Sequence, residues 1–156
     1  MNGYLEVVSL VERLHRHFLE VVKLELDSLG IHDINNAQSM ILFNIGDAEM
    51  TVGELTSRGC YLGSNVSYNV KKMVENGYLV QEPSVHDRRS SFVRLTNKGR
   101  DLRDRLDVMA RRHVEMLTET GITDGDLQGV VGTLHRLERF WIRAGDLLQQ
   151  PGQFAA

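Results

Sequence analysis

Within nine residues, Ser64, Asn65, Ser67, Tyr68, Lys71 and Lys72 present hydroxyls, an amide and two ammonium groups, with no acid before Glu75. Hydroxyls and amides hydrogen-bond base edges and lysines neutralise phosphates, so this set suits a nucleic acid better than a reaction. Ser64, Asn65, Ser67 and Tyr68 are the candidate base readers. Asn65 leads them, because an Asn amide can bond adenine bidentately. Lys71 and Lys72 are the candidate phosphate contacts. A second cluster, His86-Asp87-Arg88-Arg89, adds two guanidinium groups suited to a minor groove or to the backbone. Asp87 is close enough in the chain to brace one of them by an ion pair.

Specific elements must position these groups. Val66, Val70, Met73 and Val74 fall at i, i+4, i+7 and i+8, which is one face of a helix and a face that must be buried. Ser64 is the expected N-cap, and Gly77 stands where a helix C-terminus favours positive φ. A shorter helix is expected before it, over roughly Val52 to Arg58. After it, Tyr78 to Glu82 reads as extended chain leading to Pro83, and Ser91 to Leu95 as a second extended run. The polar, basic segment from Ser84 to Ser90 joins them as the tip of a hairpin. Thr96 then caps a new helix. Two helices followed by a basic hairpin make a helix-turn-helix with a wing.

At these residues the chain resembles the MarR (multiple antibiotic resistance regulator) family of winged-helix transcription factors. Asp87-Arg88-Arg89, then Val93-Arg94-Leu95-Thr96, then Lys98-Gly99 match the family's wing signature. Val66-Ser67 and the run from Lys72 to Val80 match its recognition helix. The turn from Gly59 to Gly63 departs from the pattern, which has an apolar residue where Gly59 falls; Cys60 or Tyr61 is expected to supply the missing core contact. The resemblance implies a repressor that leaves DNA when a small, usually aromatic, ligand binds between the dimer helices and the winged module. His15, Phe18, Asn44 and Tyr61 are the aromatic or polar candidates for such a crevice, each also compatible with ordinary packing.

Composition bounds the alternatives. The chain has 156 residues, 42% apolar and 25% charged, with two prolines and one cysteine. These values suit one globular protomer with long helices and no intrachain disulfide. No apolar run approaches the ~20 residues that span a bilayer, and Glu6 and Glu12 interrupt any signal-peptide core, so a cytoplasmic protein is expected. The net charge is −3, but it is unevenly spread. Residues 51–99 hold seven Lys or Arg against four acids, and the remainder eleven against seventeen. A basic module on an acidic body turns the body away from phosphates.

Around the module the chain reads as helix. Tyr4 to about Leu29 carries Leu5, Val8, Val11, Phe18, Val22 and Leu29 at approximate helical spacing, widened by Leu14, Leu19, Val21 and Leu26. Gly30 ends it. Asn35 or Asn36 caps a helix from Ala37 to Ile45, with Met40, Ile41 and Phe43 to Ile45 facing inward, and Met50-Thr51-Val52 suits a short strand beside the wing. A helix from Gly99 to about Thr120 has Leu102, Leu106, Met109, His113, Met116 and Leu117 as its buried stripe, with Arg100, Arg103, Asp104, Arg111 and Arg112 mostly outside it. Gly121 stops it, and Thr123 with Asp126 resembles a capping box. The last helix carries Leu127, Val130, Val131, Leu134, Leu137, Trp141 and Leu148 and ends near Gln149. Its apolar surface and that of the first helix exceed what one small module needs, which points to a partner chain.

The expected fold is mainly α with a small β-wing. Residues 35–99 form the winged helix-turn-helix, 1–34 and 100–150 a helical dimerisation region, and 151–156 a flexible tail. Expected partners are double-stranded DNA, a second copy and a small aromatic ligand, with no membrane. No phosphate loop, nucleophile elbow or paired metal-ligand motif appears, so neither an enzyme nor a cofactor or metal is expected. His15 and His17, two apart, point to different sides of a helix. Cys60 lacks a neighbouring base beyond Arg58 and reads as a small apolar residue rather than a redox sensor. The competing function is a protein-interaction module on the same scaffold, which would account for the negative net charge.

Overall fold

Short polar side chains and glycines stand where the helices begin and end, supplying partners for backbone groups that a helix leaves open. The computed structural model describes residues 2–59, 63–86 and 89–149. Cys60, Tyr61, Asp87, Arg88 and residues 151–156 lie outside the described residues, as do the side chains of Ser64 and Leu148. In chain order the elements are α1 (Asn2–Ser28), α2 (Asn36–Ile45), β1 (Met50–Thr51), α3 (Val52–Gly59), α4 (Gly63–Glu75), β2 (Leu79–Pro83), β3 (Ser91–Leu95), α5 (Asn97–Glu119) and α6 (Asp124–Gln149).

Local chemistry explains these limits. Gly30, at φ +67°, closes α1: its N–H reaches Asp27 O at 3.1 Å, and Ile31 N–H reaches Leu26 O at 2.9 Å. That pair of bonds is the glycine-terminated stop that satisfies orphan carbonyls. Gly77 repeats it for α4, with Tyr78 N–H on Met73 O at 2.9 Å. Asn35 caps α2 through its side chain, while Gln38 returns a bond to the Asn35 N–H. Thr51 and Glu54 do the same for α3, and Thr123 and Asp126 for α6. α4 begins at Gly63, so Ser64 lies inside the helix and is not its N-cap.

The chain divides into two compact units, Met1–Ala110 and Arg111–Ala156. In the first, the three strands form one antiparallel sheet in the order β1-β3-β2, with Met50 opposite Val93 and Leu79 opposite Leu95. One core joins the helices to this sheet: Val22 and Leu26 of α1, Ile41, Leu42 and Ile45 of α2, Leu55 of α3, Val66, Val70 and Met73 of α4, Leu79, Val93 and Leu95 of the sheet, and Leu102, Leu106 and Met109 of α5. Leu42, absent from the expected inward set, is fully buried. Asn44 is only half-buried.

Two expectations for α5 need correction. Its buried stripe stops at Met109; His113 and Leu117 are half-buried, and Met116 is 62% exposed. Arg103, placed outside the stripe, has a side chain only 15% exposed and held by Asp47 at 2.6 Å and Asp104 at 3.3 Å. A long stem that covers core while its head finds carboxylates is the usual way an arginine becomes buried. In the second unit no described side chain of α6 is buried, and Leu127, Val130, Val131, Leu134 and Trp141 remain exposed. In the first unit α1 likewise exposes Leu5, Leu10, Leu14 and Leu24. No helix among the described residues is long and apolar enough to cross a membrane.

One residue fixes how closely α5 meets the sheet. A Cβ added at Gly99 would overlap the Tyr78 carbonyl oxygen and touch Leu95. The obstacle is backbone, which cannot swing aside. Gly99→Ala is expected to lower stability by about 1–3 kcal/mol, the usual cost of overpacking, read as a shifted denaturant midpoint. An unchanged midpoint would mean that the approach of α5 to β2 is not constrained at this residue.

Candidate nucleic-acid interface

The two faces of α4 have opposite characters. Val66, Val70 and Met73 are buried and Val74 packs against the same core, as the spacing requires. Asn65, Ser67, Tyr68 and Lys71 are exposed, with Tyr68 at 60%. Burial of one stripe therefore sets the rotation of the helix and turns the polar stripe outward. Ser64 lies in the first turn of the same helix.

The hairpin stands beside this face. A groove of about 430 Å³ is lined by Ser67 of α4, Thr51 and Gly53 at the start of α3, and Gln81, Arg89 and Ser91 of the hairpin. The structure thus brings Ser67 and Arg89 to one concavity, two residues assigned from separate stretches of sequence. The hairpin is stiffened by Ser84 N–H on Ser90 O at 3.0 Å and by Gln81 Nε2 on Ser91 Oγ at 2.8 Å. Asp87 and Arg88, the other wing residues, fall outside the described residues.

Not every base contributes equally to the electrostatics. Arg94 bridges Glu82 at 3.2 Å and Glu49 at 3.7 Å, so it braces the sheet. Lys72 sits 3.1 Å from Glu75, whose hydrogen bond and charge raise the ammonium above its ordinary value. An exposed pair of this kind is weak in water, and a phosphate can replace the carboxylate. His15 and Phe18 lie on α1, both exposed, and half-buried Asn44 closes α2, where its carbonyl accepts from Arg58 at 3.0 Å.

A network that sequence reasoning missed anchors the far end of α4. The Asp33 carboxylate accepts from the Tyr78 hydroxyl and, at 2.6 Å, from Lys98 Nζ. Lys98 Nζ also donates to Asn76 O at 2.8 Å and lies 4.3 Å from the centre of the Tyr78 ring. Asn76 Nδ2 returns a bond to Asp33 O at 2.7 Å. Burial alone would raise the Asp33 carboxyl, but the bonds from Lys98 and Tyr78 and the Lys98 charge outweigh it and hold the group below its ordinary value. Burial first, then the facing carboxylate, push the Tyr78 phenol far up. Thr96 completes the joint, donating to Gly77 O at 2.6 Å and accepting from Gly99 N–H at 3.1 Å. Only Lys98-Gly99 in the wing signature hinted at this joint; Asp33 lies 65 residues from Lys98.

A pH dependence follows. Because folding lowers the Asp33 pKa, its stabilisation is complete above the unfolded-chain value of about 3.9 and is lost as pH falls through the lower folded value. Thermal melts of the wild type and of Asp33→Asn are expected to differ at neutral pH and to converge below about pH 4. A difference that stays constant down to the lowest pH would remove Asp33 from the network.

Comparison with known proteins agrees with this geometry. Residues 32–90 match the MarR family. The exopolysaccharide II synthesis transcriptional activator ExpG of Rhizobium meliloti (strain 1021) is 40% identical over 138 residues, covering 88% of this chain and 71% of that protein. Two solved structures share the fold. Streptococcus pneumoniae FabT in complex with DNA aligns with a TM-score of 0.71 at 19% identity, covering 90% of this chain and 99% of the other. Staphylococcus aureus MarR in complex with salicylate and kanamycin aligns with 0.70 at 22% identity, covering 90% and 93%. The winged helix-turn-helix built on α4 and its hairpin, with a relative this similar along most of both sequences, places the chain in the MarR family of transcription regulators, which are not enzymes.

Proposed function

We propose that this chain is a homodimeric repressor that reads a pseudo-palindromic operator through α4 and is released by a small aromatic effector. The observation that carries the DNA reading is the division of α4: an apolar stripe in the core, an outward stripe of hydroxyls, amide and lysine, and Arg89 across the groove from Ser67. Ser64, Asn65, Ser67 and Tyr68 meet base edges; Lys71 and Lys72 meet phosphates; Arg88 and Arg89 make the wing contact, with Asp87 bracing them.

The unburied apolar residues of α1 and α6 support a two-fold interface built from residues 1–34 and 100–150 of two copies. Such a dimer carries two recognition helices, and its half-sites lie one helical turn or a multiple apart. An effector held near His15, Phe18, Asn44 and Tyr61 acts by favouring a half-site spacing that does not fit the operator. The salicylate bound in the Staphylococcus aureus structure supports an aromatic acid as the first compound to test. A second reading concerns the sign of regulation. The Rhizobium meliloti relative is named an activator, and a dimer bound upstream of a promoter can recruit where one bound across it excludes.

Selection of bound duplexes from a random pool is expected to return a two-fold symmetric site, and transcription in vitro from that site tells repression from activation. Arg89→Ala is expected to weaken binding with unchanged sequence preference and to lower the salt slope by roughly one. Unchanged affinity would take Arg89 out of the interface. Sedimentation at micromolar concentration is expected to give twice the 17.7 kDa of one chain. The mass of a single chain would sink the dimer.

A further inference from the structure

Gln38 is a buried polar residue on α2, and its two amide atoms have different tasks. Its Oε1 accepts from the Asn35 backbone N–H at 3.1 Å, while its own backbone N–H donates to Asn35 Oδ1 at 2.7 Å. A backbone N–H can only donate, so the amide oxygen of Gln38 must face it. The nitrogen is therefore the branch that reaches α4, where Nε2 stands 3.2 Å from Asn69 Oδ1. Two donors would repel, so the atom of Asn69 that faces Gln38 must be its oxygen. The orientation of both amides follows from one backbone group at the start of α2.

Asn69 is half-buried on α4, four residues after Asn65 and three before Lys72, so the three share one side of the helix. With its oxygen turned to Gln38, the branch turned away is Nδ2, a donor. We infer that Asn69 is a further DNA contact of this chain, and that Gln38 acts as a positioning residue that presets it to donate to an acceptor: a phosphate oxygen, or a purine N7, guanine O6 or thymine O4 in the major groove. The inference rests on the proposed reading that α4 docks on DNA.

A double-mutant cycle tests it, using the full-length protein and a duplex selected by the wild type. Asn69→Ala is expected to weaken binding about tenfold, the scale of one hydrogen bond to a charged or well-oriented acceptor. Gln38→Glu keeps an acceptor for the Asn35 N–H but turns a second acceptor toward Asn69, which must then flip and present its oxygen to the DNA. It is expected to cost a similar factor in the wild type and to add nothing in the Asn69→Ala background. Where Gln38→Glu does not fold, Gln38→Met removes the relay at similar volume, and its cost should likewise vanish without Asn69. A loss uniform across sequences with a shallower salt slope identifies a phosphate; a changed preference at one position identifies a base. Equal cost of the Gln38 change in both backgrounds overturns the relay, and wild-type affinity in Asn69→Ala overturns the contact. If the wild type selects no duplex at all, the docking of α4 falls, and this inference with it.

Discussion

The ammonium group of Lys98 holds together parts of the chain that are distant in sequence. It lies 2.6 Å from Asp33, before α2, and 2.8 Å from the carbonyl of Asn76, just past α4, and it sits over the ring of Tyr78 at the entry to the hairpin. A helix leaves its last carbonyls without partners and its C-terminus partly negative, so a cation there is favourable on both counts. Gly99 follows because the backbone at this joint leaves no room for a Cβ. The Lys-Gly pair at the end of the wing signature is thus a single joint: the lysine supplies the bonds, and the glycine permits the close approach that lets them form. The far end of α4, the first wing strand and α5 all depend on it.

Charge plays a smaller part than the count of basic residues suggests. Arg94 is committed to Glu49 and Glu82, Lys72 stands beside Glu75, and Arg103 is turned to Asp47 and Asp104. These pairs organise the module more than they project a field. In the proposed reading, discrimination between sequences falls to the uncharged part of α4, where amide and hydroxyl groups are fixed by the helix on which they stand. The buried amide of Gln38 adds a polar connection from α2 to that surface.

Most of the fold was legible because its signals are local. The spacing of Val66, Val70 and Met73, the stops at Gly30, Gly77 and Gly121, and the strand from Ser91 to Leu95 all reappear in the structure, since each depends on residues within a turn or two. The start of α4 lies two residues earlier than a cap at Ser64 would put it, because Gly63, lacking a side chain, joins the helix as readily as it leaves it. The stripe on α5 was overextended: Met116 keeps the helical period of Leu102 and Met109, but period alone does not say where the covering elements end. The connections of Asp33 to Lys98 and of Gln38 to Asn69 span 65 and 31 residues, and no short-range pattern announces such pairs. The Asn-x-x-Gln cap at Asn35 was open to recognition, and with it half of the second connection.

The hairpin also bears on how the molecule behaves when crowded. β2 is an outer strand of the sheet, paired only with β3, and an outer strand is a template on which a foreign strand can grow. Here the template is short and poorly suited to growth. It has five residues, of which Gln81 and Glu82 are exposed and polar, and Pro83 at its end has no N–H to offer. β1, the other outer strand, is two residues long. An exposed hairpin is in this way kept from stitching itself into neighbouring proteins, so the protein can accumulate without seeding aggregates through its sheet.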